Sequence, residues 1–104
     1  DSMRQIIGGK IYDTAKAVLV ARYQFSNEKN ILIGDMNWVY EELYRTPNGR
    51  YFLYASETCM TEHAGKDEAA MKLMTLAEED VIAWAERRTI DPDLLTKYIR
   101  IKEA

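Results

Sequence analysis

Trp38-Val-Tyr-Glu-Glu-Leu-Tyr-Arg-Thr46, Pro47-Asn48-Gly49 and Arg50-Tyr-Phe-Leu-Tyr-Ala-Ser56 follow one another in the middle of the chain. Pro at the second turn position and Gly at the fourth suit a type I turn closed by a glycine bulge. The flanks are rich in the aromatic and β-branched residues that strands favour. Pairing Thr46 with Arg50 sets Leu43 opposite Leu53 and Tyr44 opposite Phe52. Side chains alternate along a strand, so one face carries Val39, Leu43, Leu53 and Ala55. The other carries Trp38, Tyr40, Tyr44, Phe52 and Tyr54. Six of the eleven aromatic residues lie between Trp38 and Tyr54. Both faces of this hairpin are thus largely apolar; helices can cover one, and the aromatic face is then solvated, curled onto other strands or used by a partner.

Residues 4–12 read as a second hairpin. Gly8-Gly9 supplies the positive φ angles of a two-residue primed turn and sets Ile6 against Ile11. Asp13-Thr14 follows as a turn or cap. Residues 17–25 read as a strand, and Ser26 to Asn30 as a polar loop. The stretch after Ser56 that holds Cys59 and His63 reads as a loop, and Met71 to Met74 as one more short strand. Thr75-Leu-Ala-Glu78 has the spacing of a capping box that opens a helix. That helix carries Ala77, Val81, Trp84 and Ala85 on one stripe, Glu78, Glu79 and Asp80 at its start, and Arg87 and Arg88 at its end. Asp91-Pro92 starts a second helix that buries Leu94, Leu95, Tyr98 and Ile101. Strands first and helices last predict an α+β domain. Hairpins 4–12 and 38–56 and the strand near 17–25 build an antiparallel sheet, with two C-terminal helices on one face.

The chain has 104 residues, 47% of them apolar, and fits a single domain. Asp1-Ser2 ahead of Met3 reads as an expression remnant, which places the domain at 3–104. No apolar run is long enough to span a bilayer, and no charged-then-apolar leader opens the chain. The single cysteine, Cys59, excludes an internal disulfide and fits a reducing cytoplasm. Net charge is −3, with 7 basic and 6 acidic residues through Phe52 and 7 and 11 after it. General nucleic-acid binding needs a basic surplus that this chain lacks. A local patch remains open around Lys10, Lys16 and Arg22, or at the hairpin tip with Arg45 and Arg50.

Catalytic constellations are sparse. Cys59 and His63 have a usable nucleophile–base spacing, yet no orienting third group or oxyanion motif accompanies them. They also fall short of the four ligands of a structural zinc site. Glu41 and Glu42 are adjacent in a strand and point to opposite faces, so they do not form a glycosidase pair. Glu42, between Tyr40 and Tyr44, is the carboxylate to watch. No phosphate loop, dinucleotide fingerprint or nucleophile elbow is present. The expectation is a non-enzyme without cofactor or metal. The aromatic face is read as core, as a base-stacking platform or as a protein interface. An acidic domain favours a protein partner over RNA.

Several segments together resemble a group of small, mostly uncharacterised proteins of bacterial phages, plasmids and integrative elements. The residues concerned are Ile6-Ile7-Gly8-Gly9-Lys10-Ile11-Tyr12-Asp13-Thr14 with Ala17, then Glu42-Leu43-Tyr44-Arg45-Thr46, Gly49 and Tyr51-Phe52-Leu53-Tyr54. Met60-Thr61, His63-Ala64, Leu76-Ala-Glu-Glu and Trp84 extend the likeness over most of the chain. It departs at Cys59, where a Pro is expected, and at Ala55-Ser-Glu-Thr58, in place of a Gly-rich stretch. Mobile-element proteins of this size often inhibit host defence systems, anti-CRISPR proteins among them. The resemblance thus implies a protein-binding inhibitor, by analogy of setting. Trp38, Tyr40, Tyr44 and Tyr54 are the expected anchors and Arg45 and Arg50 the rim. The alternatives are a nucleic-acid-associated regulatory module working through Arg45 and Arg50, and a symmetric homodimer.

Overall fold

A computed structural model describes residues 2–30, 35–60 and 71–104, and the side chains of 2–25, 39–56 and 71–104. The central hairpin joins β4 (Asp35–Arg45) to β5 (Tyr51–Met60) in the expected register, with Leu43 opposite Leu53 and Tyr44 opposite Phe52. Gly49 has φ 83°, its amide donates to the Thr46 carbonyl at 2.9 Å, and the Thr46 amide donates to Arg50 at 2.7 Å. These bonds close the turn that Pro47-Asn48-Gly49 encodes. β3 (Val18–Asn30) pairs antiparallel with β4, and β6 (Met71–Leu76) with β5, giving a four-stranded sheet of order β3-β4-β5-β6. β1 (Arg4–Ile7) and β2 (Lys10–Asp13) form a separate two-stranded sheet, with Ile6 opposite Ile11.

Four expectations are corrected. Ser26 to Asn30 continue β3 instead of looping, because their backbone pairs with β4 as far as Asn30 and Asp35. Likewise β5 runs to Met60, so Cys59 lies in a strand at register with Asn37. Ladder bonds to a distant partner override polar composition in both places. Thr75 does not cap a helix: it pairs with Phe52 inside β6, so α1 (Glu78–Arg88) begins after Ala77. Half of the reciprocal cap survives, shifted by two residues, as the Asp80 carboxylate accepts the Ala77 amide at 3.0 Å. Finally, α2 (Pro92–Leu95) is a single turn. Leu95 and the following Ile99 are buried, while Leu94, Tyr98 and Ile101 are exposed.

The two faces of the central hairpin acquire different covers. On one face Leu43, Tyr51 and Leu53 pack with Val20, Ala21, Val81, Trp84, Leu95 and Ile99, beneath the C-terminal helices. A register shift between Leu19 and Ala21 marks a bulge, and consecutive Val20 and Ala21 both enter this core. On the other face Tyr12, Phe52 and Leu73 are buried, with Met3, Ile7, Ala17, Tyr44 and Tyr54 packed around them. The N-terminal hairpin therefore covers the turn end of the aromatic face. Its own outer side leaves Ile6 and Ile11 exposed beside an Arg4–Asp13 ion pair of 3.2 Å.

Candidate functional site

The alternation of β4 sends Glu41 and Glu42 to opposite faces, as expected, and each meets a different environment. On the helix side Glu41 accepts the Trp84 indole N–H at 2.9 Å and two Arg88 guanidinium N–H groups at 2.8 and 3.2 Å. Arg88 also lies 4.4 Å over the Tyr23 ring. The Glu41 hydrogen bond holds the Arg88 guanidinium above its ordinary pKa. Both charges are largely withdrawn from solvent, with side-chain exposures of 12% and 25%. Charge-assisted bonds of this kind are worth about 1.5–3 kcal/mol each and would leave a costly orphan if one partner were removed. This cluster fastens α1 to the sheet.

Glu42 sits on the opposite face in a second cluster. The Tyr40 hydroxyl donates to Oε2, the Tyr44 hydroxyl donates to Oε1 at 2.7 Å, and Arg22 Nε stands 3.8 Å from Oε2. Arg22 is opposite Glu42 in the β3–β4 register, which brings the cation to the carboxylate. The hydrogen bond to Glu42 is the main cause that raises the Tyr40 pKa. For Tyr44 burial comes first and the same hydrogen bond second, and its pKa is also pushed up. Both phenols thus stay protonated and hold the carboxylate in one orientation. Beside them Ser56 is buried, and its hydroxyl has no hydrogen-bond partner.

The residues expected to bind a partner separate into three groups. Tyr40, Tyr44 and Tyr54 share one face, all partly buried. Tyr44 is stacked on Phe52 with ring centroids 5.2 Å apart, and both Tyr44 and Tyr54 pack against the core beneath the N-terminal hairpin. Arg45 belongs to the helix side: its guanidinium lies 4.9 Å over Tyr98 and 6.0 Å over Tyr51, and its Nε is buried without a hydrogen bond. Arg50 is exposed at the hairpin tip. Trp38 occupies a β4 position opposite Ser26 and Thr58, and its side chain lies outside the described ones. So does that of Cys59, and His63 lies outside the described residues altogether.

Arg22 was legible only as a member of a basic patch; its role at Glu42 depends on the β3 register, which a bulge shifts by one residue. Among the described residues no group of three or more His, Cys, Asp or Glu is placed to hold a metal ion. No described helix is long and apolar enough to cross a membrane. No protein family, curated protein or solved structure matches the chain.

Proposed function

We propose that this chain is a non-enzymatic protein-binding module that docks through the sheet face around Tyr40, Glu42, Tyr54 and Arg22. The observation that supports this reading is the convergence of Tyr40, Tyr44 and Arg22 on one carboxylate. Tyr and Arg are the residue types that dominate the binding energy of protein interfaces. Their hydroxyl and guanidinium groups are already tied to Glu42, so less rotamer freedom is lost on docking. The matching partner presents hydrogen-bonding groups to the Glu42 cluster and an apolar side chain to the tyrosine rings. From the resemblance to mobile-element proteins comes the class of target, a host defence protein, with this chain as its inhibitor in the manner of an anti-CRISPR protein. Of the two expected rim arginines, Arg45 is engaged with Tyr98 and Arg50 is exposed at the hairpin tip, so Arg22 is the rim cation of this surface.

The test is affinity capture from a bacterial lysate with the wild-type chain and with Tyr40→Ala and Arg22→Glu variants whose circular dichroism and melting temperature are unchanged. A stoichiometric protein partner that both folded variants lose is the expected result. A partner retained by both variants overturns the placement of the surface. Recovery of nucleic acid alone, released by salt, favours the regulatory module working through the hairpin tip instead. A homodimer through β3, an edge strand of the four-stranded sheet, predicts concentration-dependent sedimentation without any partner.

A further inference from the structure

The turns of the two hairpins meet over a cleft of about 590 Å³, lined by Lys10 from the first and by Thr46, Pro47, Asn48 and Arg50 from the second, with Tyr12 among its walls. Nothing in the linear sequence joins Lys10 to Arg50; the packing of the N-terminal hairpin on Phe52 and Leu73 brings them to one site. The lining has two cations and no acidic residue, in a chain whose net charge is −3. Arg4, Arg22 and Arg88 each have a carboxylate partner. Lys10 and Arg50 have none among the described residues. A neighbouring groove shares Tyr12 and Arg50 but is lined by Glu78, which repels an anion. Arg50 therefore stands between a cationic cleft and an acidic groove, and only the first suits a negative ligand.

The walls are fixed by local chemistry. Arg50 is held at the tip by its own amide, which donates to the Thr46 hydroxyl at 3.0 Å. Tyr12 is locked edge-on against Phe52 at 5.4 Å between centroids. Asn48 adds a carboxamide to the lining and Pro47 an apolar surface. An arginine fork and a lysine point charge together match a doubly charged oxyanion better than a single carboxylate. The volume lies within the range of small-molecule sites.

We propose that this cleft binds a phosphate monoester of nucleotide size, with Lys10 and Arg50 on the phosphate and Pro47 against its apolar part. The site is separate from the Tyr40–Glu42 surface and stands or falls independently of it. The phosphate comes from a free mononucleotide or from the phosphorylated end of a nucleic-acid strand, and the chemistry at Lys10 and Arg50 is the same.

The experiment is titration of the ¹⁵N-labelled full chain with adenosine monophosphate, with adenosine, and with a short single strand bearing or lacking a 5′-phosphate. Expected are amide shifts at Gly9, Lys10, Asn48, Gly49 and Arg50 with the monophosphate and none with adenosine. Lys10→Ala and Arg50→Ala each weaken binding about tenfold or more, the loss of one charge-assisted contact. Lys97→Ala, an equal change of charge away from the cleft, leaves it unchanged. Spectra of the variants report directly whether the fold persists. Tighter binding of the phosphorylated strand than of the monophosphate, with the same shifts, identifies a strand end as the source; equal affinity identifies the free nucleotide. Absence of shifts at millimolar monophosphate, equal shifts with adenosine, or affinity unaffected in the Lys10 and Arg50 variants overturns the proposal.

Discussion

Glu42 and its two tyrosines form a network whose protonation can be read from outside the protein. Tyr40 and Tyr44 both have pKa values raised above the ordinary 10.0, so folding favours their neutral forms. The sign follows from linkage: this contribution to stability is complete below about pH 10 and is lost as pH rises through the raised values. The unfolded chain then releases protons that the folded chain retains. In Glu42→Gln the carboxylate is replaced by a neutral amide. Because Glu42 is the leading cause of the shift at Tyr40, while burial leads at Tyr44, the two residues respond unequally. Tyr40 is expected to return most of the way to an ordinary value and Tyr44 to remain clearly above it. Residue-specific ¹³C titration of the tyrosine ring carbons measures both. Equal return of the two would show that burial of Tyr44 contributes little.

At the scale of elements, the two turns offer a graded comparison. Gly8, Gly9 and Gly49 all have positive φ, at 59°, 79° and 83°. A methyl group at Gly8 or Gly9 meets nothing within 4 Å, whereas at Gly49 it stands 3.1 Å from Arg45 Nη2. Gly8→Ala therefore carries only the left-handed backbone cost, about 1–2 kcal/mol. Gly49→Ala adds displacement of a guanidinium already engaged with Tyr98, and is expected to be the more destabilising in urea denaturation. If Gly8→Ala is equally costly, the Arg45 contact adds nothing. These turns were legible because their chemistry is local: Pro47-Asn48-Gly49 and Gly8-Gly9 each specify a backbone path over a few residues. Element ends were not. Thr75 and Glu78 satisfy the spacing of a helix start, yet Thr75 is claimed by Phe52 across the β5–β6 ladder. Ser26 to Asn30 have loop composition but a strand partner in β4. In the candidate site, the separation of Glu41 from Glu42 follows from strand alternation alone. Their partners Trp84, Arg88 and Arg22 follow from packing and a bulge, which no short window of sequence contains.

For the whole molecule, the decisive feature is that two cores share the same pair of strands. Leu43 and Leu53 face the helices while their neighbours Tyr44 and Phe52 face the N-terminal hairpin, so parting β4 from β5 breaks both at once. The described chain should then unfold as one cooperative unit, although its hairpins form separate sheets. Tyr12 tests this from the far side. It is buried against Phe52 and belongs to the core of Phe52 and Leu73, not to the helix-side one. Tyr12→Ala removes a buried aromatic ring and should cost about 3–4 kcal/mol, a large part of the ~5–15 kcal/mol typical of a domain. In a Trp38→Phe background Trp84 is the remaining indole and reports the helix-side core, while far-ultraviolet circular dichroism reports the strands. Urea unfolding followed by the two probes should give coincident curves in both the parent and the Tyr12→Ala variant. Both midpoints should move down together with an unchanged slope, because the surface exposed on unfolding is nearly the same. A Trp84 transition that keeps its midpoint while the dichroism shifts would mean that the N-terminal hairpin detaches alone. The aromatic face would then be exposed by local opening, and the cleft between Lys10 and Arg50 would come apart before the rest of the fold.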